Sequence, residues 1–134
     1  MMSLSPKRPY FVRAMHEWLT DNNFTPYLVV DVTHEQVIAP KGYDQDGRLV
    51  LAISYQATKD LFMDNQAISF ASRFGGVSHD IWVPMQAVIG IYAKEDNSQA
   101  FFFDPSEYDD YTPPDTPDDD GDDEPPRPSH LKFV

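Results

Sequence analysis

Between Asp104 and Glu124 the chain carries 11 acidic residues and no basic one, and seven of its 12 prolines lie between Pro105 and Pro128. No other feature limits the fold as severely. A segment this charged, with few apolar side chains and many missing backbone donors, cannot bury enough area to offset the entropy of ordering it. It is expected to be a disordered acidic linker over 105–126. That leaves a folded body at 1–104 and a short C-terminal piece at 127–134. The same segment explains the charge. The 134 residues include 22 acids and 10 bases, and without those 11 acids the remainder is 11 against 10. The body is therefore nearly neutral, and about 100 residues suffice to bury a core without disulfides or metal. A tail of this charge repels nucleic acid and anionic lipid, so neither is expected as a partner.

Several classes drop out on composition and motif. The absence of cysteine excludes a disulfide scaffold, an iron–sulfur cluster and a thiolate zinc site. Lys7 and Arg8 are not followed by an apolar signal core, because Arg13, His16 and Glu17 interrupt it. No run approaches the ~20 apolar residues that span a bilayer, and the chain is read as soluble and cytoplasmic. It has no nucleophile elbow, P-loop, dinucleotide fingerprint or zinc-protease helix motif. His16, His34, His79 and His130 have no ligand spacing, and His79-Asp80 would point to opposite faces of a strand. An EF-hand loop centred on Gly121 would put Thr116 and Arg127 at its first and twelfth positions, where carboxylates are required. No metal, no cofactor and no enzymatic activity are expected.

The body opens with a helix over about Pro9–Asn22. Phe11, Ala14, Met15, Trp18 and Leu19 recur at helical spacing as one apolar stripe, with Tyr10 and Val12 adding apolar surface beside it. Pro9 suits a first turn, and Asp21-Asn22-Asn23 followed by Pro26 ends the element. The stripe can cover one side of the domain, or its flank can meet a second subunit. After Pro26 the pattern changes to short β-branched runs: Tyr27–Val32, Gln36–Ala39, Arg48–Ser54, Gln66–Phe74, Ser78–Val83, Ala87–Ala93 and Ala100–Phe103. Asp46-Gly47 marks a turn before the third run, and Glu95–Ser98 reads as a hairpin loop. Pro84 implies a bend or an edge. The body is predicted to be mainly β within the α+β class: a helix followed by a small, strongly curved antiparallel sheet or barrel of six or seven strands.

Phe70-Ala71-Ser72-Arg73-Phe74-Gly75-Gly76 stands out among these runs. The glycine pair permits positive φ and close approach of another backbone. One reading is a simple bulge. The other is the floor of a peptide groove, walled by Phe70 and Phe74, with Arg73 as a fixed charge for an acidic peptide.

RPYFVRAMHEWLTDNNFTPYLVVDV, DGRLVLAIS, FASRFGG and VPMQAVIGIYA, in that order, resemble the stringent starvation protein B family of adaptors for the ClpXP protease. The likeness covers about Pro9 to Phe103 and returns at the C-terminal end. It implies an Sm-like barrel whose N-terminal helix pairs two subunits, here through Tyr10, Phe11, Ala14, Met15 and Trp18. It implies a receptor for the ssrA-type tag on proteins from stalled ribosomes, with Ile53, Phe70, Ser72, Arg73, Phe74 and Gly75 as the peptide-binding residues. It also implies that the tail end docks on ClpX. Arg127-Pro128 and Leu131-Lys132-Phe133-Val134 match that terminal motif, with one extra residue before Leu131 and Phe133 in place of a small β-branched residue. The expected function is an adaptor that tethers tagged substrates to ClpXP during stress. The alternatives are an RNA-binding Sm-like protein and a stress regulator associated with RNA polymerase.

Overall fold

The computed structural model describes residues 4–109 and 111. Its first element is the helix α1, Arg8–Asp21, with Pro9 in the first turn where a missing N–H costs nothing. Asn23 ends it at φ 64°. The Asn23 and Phe24 amides donate to the Thr20 and Leu19 carbonyls, a Schellman closure in which asparagine fills the left-handed position.

Seven strands follow among the described residues: β1 Pro26–Asp31, β2 Arg48–Ala52, β3 Lys59–Met63, β4 Ala67–Phe74, β5 Val77–Pro84, β6 Val88–Ala93 and β7 Asp96–Phe102. They form two antiparallel sheets, ordered β2-β1-β6-β7 and β3-β4-β5. The expected helix-plus-curved-sheet architecture is what the chain adopts, with the sheet divided in two. Pro84 marks one point where the curvature concentrates: it closes β5, and Met85–Ala87 form a single 3₁₀ turn before β6. Period-two burial then builds the core. Leu28 and Val30, Leu49 and Leu51, Ile68 and Phe70, and Ile81 and Val83 all point inward. α1 closes the core with Val12 and Leu19. No helix among the described residues is long and apolar enough to cross a membrane.

Some sequence expectations fail locally, for identifiable reasons. Gln36–Ala39 is not a strand; only Ile38 bridges to Trp82. The Val37 amide donates to the His34 carbonyl and the Gln36 amide to His34 Nδ1, so their donors are consumed in a turn. Lys59–Met63, not anticipated, pairs with β4. The loop expected at Glu95–Ser98 shrinks to Lys94-Glu95, and Asn97–Gln99 bulge out of the β6–β7 ladder. Val12, placed outside the apolar stripe, is fully buried.

The folded body also runs past its expected limit at 104. Asp104–Asp109 turn back onto the start of α1, where the Glu107 carboxylate accepts the Lys7 and Arg8 amides at 2.8 and 3.1 Å. A helix whose own N-cap residue makes no side-chain bond thus takes its cap from about a hundred residues away, and the anion suits the positive end of the dipole. The Arg8 side chain is buried beside it. Nε meets Glu107 at 3.0 Å, and the other two nitrogens donate to the Gln86, Val88 and Asp104 carbonyls. The guanidinium also lies over the Phe103 and Tyr108 rings, 5.2 and 4.9 Å from their centroids. Burial raises the Tyr108 phenol to about 12. The first residues of the acidic segment are therefore part of the domain. Apart from Tyr111, the rest of the segment and the motif at 127–134 lie outside the described residues.

Candidate functional site

The two sheets leave a gap where their edges face each other. Among the described residues β2 pairs with β1 and, at Arg48, with Gln45, so its other edge along Val50–Ala52 has no partner strand there. β3 pairs with β4 no further than Lys59 opposite Ala71. Beyond that point Ser72–Phe74 have, among the described residues, only β5 as a partner strand. A groove of about 760 Å³ runs between these edges, walled by Val50–Ala52, by Gln56–Lys59 and by Ala71–Phe74 with Ser78. Its end is a hydrogen-bonded turn: Thr58 Oγ1 donates to the Ser54 carbonyl, and Ser72 Oγ ties the Ala57 carbonyl to β4 at 3.3 Å. Two unpaired edges with a slot between them suit an extended peptide that adds main-chain hydrogen bonds to a sheet.

Arg73 is exposed, and one of its terminal nitrogens donates to the Gly76 carbonyl at 3.2 Å. Its position is thus set by the turn it precedes. That turn is the tight β4–β5 connection, with Gly75 and Gly76 at φ 59° and 81°, the left-handed pair that a two-residue hairpin requires. The glycine pair is neither a bulge nor a groove floor. The Phe74 ring sits between Tyr43, at 4.9 Å, and His79, at 5.9 Å, which fixes that wall of the groove.

Of the six residues expected to bind peptide, Ser72, Arg73 and Phe74 line the groove. Gly75 makes the turn. Ile53 and Phe70 are core residues, 0% and 4% exposed, and offer no side-chain surface to a ligand. Ile53 acts instead through its carbonyl, which lies 2.7 Å from Nε2 of the buried His16. Burial holds the His16 imidazole below its ordinary pKa, and the Tyr55 ring stands edge-on at 5.1 Å. This contact joins α1 to the turn that ends the groove. Sequence reasoning missed Lys59 because it missed β3, and missed Gln56, Thr58 and Val50 because a turn and an already anticipated strand gave no sign of facing the groove. Charge was the available signal: Lys59 and Arg73 are the ionisable residues of the groove wall, and no carboxylate lines it. No cluster of metal-ligating side chains occurs among the described residues.

A second surface lies on α1. Tyr10, Phe11 and Trp18 are 50%, 39% and 45% exposed, with Ala14 exposed between them. Phe101 of β7 extends the patch, its ring 5.0 Å from Phe11. Leu19, from the same sequence stripe, is in the core, and Met15 packs partly against it. The helix thus has two apolar lines: Val12 and Leu19 with Arg8 and His16 facing in, and Phe11, Ala14 and Trp18 facing out.

Comparison with known proteins gives a consistent result. The family described as stringent starvation protein B matches residues 6–132 of this chain. The stringent starvation protein B homolog of Haemophilus influenzae is 50% identical over 103 residues, covering 77% of this chain and 68% of that protein.

Proposed function

Because this chain belongs to the stringent starvation protein B family, we propose that it is a cytoplasmic, non-catalytic adaptor. It binds the ssrA-type tag of proteins from stalled ribosomes and delivers them to the ClpXP protease. The observation that carries this reading is the groove between the free edges of β2 and β4, with Arg73 held at its rim and no carboxylate on its wall. An extended segment there gains ladder hydrogen bonds from both edges, while Arg73 supplies a fixed charge for an acidic side chain. Arg127, Pro128, Leu131, Lys132, Phe133 and Val134 form the docking end for the unfoldase. Holding substrate and protease on one chain makes their encounter nearly intramolecular, at effective concentrations that approach mM.

Titration of a fluorescent tag peptide tests the receptor directly. Arg73→Ala should weaken binding roughly tenfold, as expected for the loss of about 1.4 kcal/mol, without lowering the melting temperature of a domain from whose surface Arg73 projects. Equal affinity of wild type and variant would remove the site from this groove.

The outward line of α1 is proposed as the dimer face, formed by Tyr10, Phe11, Ala14, Met15 and Trp18. Two copies give two receptors and two docking ends, and hence avidity for a protease with repeated sites. Sedimentation at micromolar concentration should yield twice the 15.3 kDa chain mass. Phe11→Asp, which buries a charge in that face, should shift the protein to monomer. A wild-type monomer under those conditions would exclude the dimer.

A further inference from the structure

β3 is irregular at the place where it reaches the groove. Phe62 and Met63 pair with Ser69 and Ile68, but Lys59 pairs with Ala71, where an unbroken ladder would set it against Ser72. One extra residue is accommodated between Lys59 and Phe62, and Asp60 takes a left-handed φ of 57°. Residues other than glycine, asparagine and aspartate seldom adopt that conformation. The result is a change of face. Side chains alternate along a strand, so a slip of one residue carries a side chain to the opposite surface of the sheet. In register with Ser72, Lys59 would share the surface of Phe70, which is buried in the core. Paired with Ala71, it is exposed on the surface that carries Arg73, and both cations line the groove. No described carboxylate lies within ion-pair distance of either one.

We propose that this bulge holds Lys59 in the groove as a second reading cation, so that the site selects an extended peptide segment carrying at least two carboxylates. The inference rests on the peptide-receptor reading above and specifies what that receptor prefers. Ala71 and Arg73 are two positions apart on β4, about 7 Å along the strand. Neither cation is in an ion pair among the described residues, although Asp80, opposite Ala71, shares their surface. Each carboxylate of a ligand in the groove is attracted by both cations, so a second carboxylate adds to the gain of the first. The bulge sets the face on which the second charge stands: in the regular register the lysine would lie beside Ser72, on the surface of Phe70, and not on that of Arg73.

The test uses the full chain, the fluorescent tag peptide, and an analogue of that peptide with asparagine for every aspartate and glutamine for every glutamate. Lys59→Gln should weaken binding of the acidic peptide roughly three- to fivefold at low salt, the scale of an exposed charge pair. The loss should vanish near ~1 M salt and be absent for the carboxamide analogue. Asp60→Val, a β-branched residue that the left-handed conformation excludes, disfavours the bulge without shortening β3 and should cause the same loss; Asp60→Gly, which retains the left-handed position, should bind as wild type does. Lys59→Gln alone suffices should the Asp60→Val variant fail to fold, since the lysine side chain is exposed. If Lys59→Gln binds the acidic peptide as tightly as wild type while Arg73→Ala still weakens it, the role of Lys59 is overturned and the receptor reading stands. Wild-type protein that binds neither peptide overturns both.

Discussion

Replacing Arg8 by methionine should cost the domain about 3–5 kcal/mol, the range for removing one partner of a buried ion pair. The substitution leaves the Gln86, Val88 and Asp104 carbonyls without this donor and takes from Glu107 the one side-chain cation it meets among the described residues. Glu107 keeps the Lys7 and Arg8 amides, which favours the lower end of the range. A loss of about 3 kcal/mol in a domain this size should lower the melting temperature by roughly 12 °C or more. It should also release Tyr108, whose ring rests on the guanidinium, so chymotrypsin should cleave there well before the body is digested. Arg8→Lys should recover only part of the stability, since an ammonium cannot serve a carboxylate and separate carbonyls as the guanidinium fork does. A melting temperature within a few degrees of wild type would mean that the buried arginine is not what joins the two ends of the domain.

The second large effect is expected at the other end of the chain. Deleting Leu131–Val134 should leave affinity for the tag peptide unchanged and abolish the gain in degradation of tagged substrate by ClpXP. Under the adaptor reading these residues hold most of the apolar surface of the docking motif, and a short segment binds through a few such anchors. Arg127 and Lys132 would add charge contacts that fade with salt. The measurement is the rate of degradation at substrate concentrations below the KM of ClpXP alone, where capture rather than turnover limits the reaction. A truncated chain that stimulates as well as the full one would defeat the tether mechanism while leaving the receptor intact.

Much of the fold was legible because its signals are local. The α1 start at a proline, the asparagine closure after it, the β-branched runs and the turn dipeptides each report a short-range preference of the backbone. Lys59–Met63 was not legible, since a five-residue strand interrupted by a left-handed aspartate has neither clean alternation nor β-branched residues. The groove was half legible. The FASRFGG run drew attention to Ser72, Arg73 and Phe74, but alternation could not tell that Phe70 stays in the core while the end of β4 runs free of β3. That distinction depends on where a neighbouring strand stops.

The stripe on α1 shows the same division. Periodicity marks a helix with apolar residues at Phe11, Val12, Met15, Trp18 and Leu19, yet these fall on two adjoining lines about a hundred degrees apart. Which line meets the core is set by the sheets it packs on, and here Val12 and Leu19 are buried while Phe11 and Trp18 are exposed. At the tail, composition set the acidic segment apart from the nearly neutral body. It could not foresee that Glu107 and Tyr108 would be held by Arg8, because that bond joins residues about a hundred positions apart and exists only once α1 and the end of β7 are side by side. The sequence by itself determined the class of the fold and the helix with most of its strands, through preferences that act over a few residues. Tertiary structure alone decided the groove, the face on which Lys59 stands and the packing of Glu107 and Tyr108 on Arg8, because each depends on strand edges, registers and long-range contacts that no local pattern encodes.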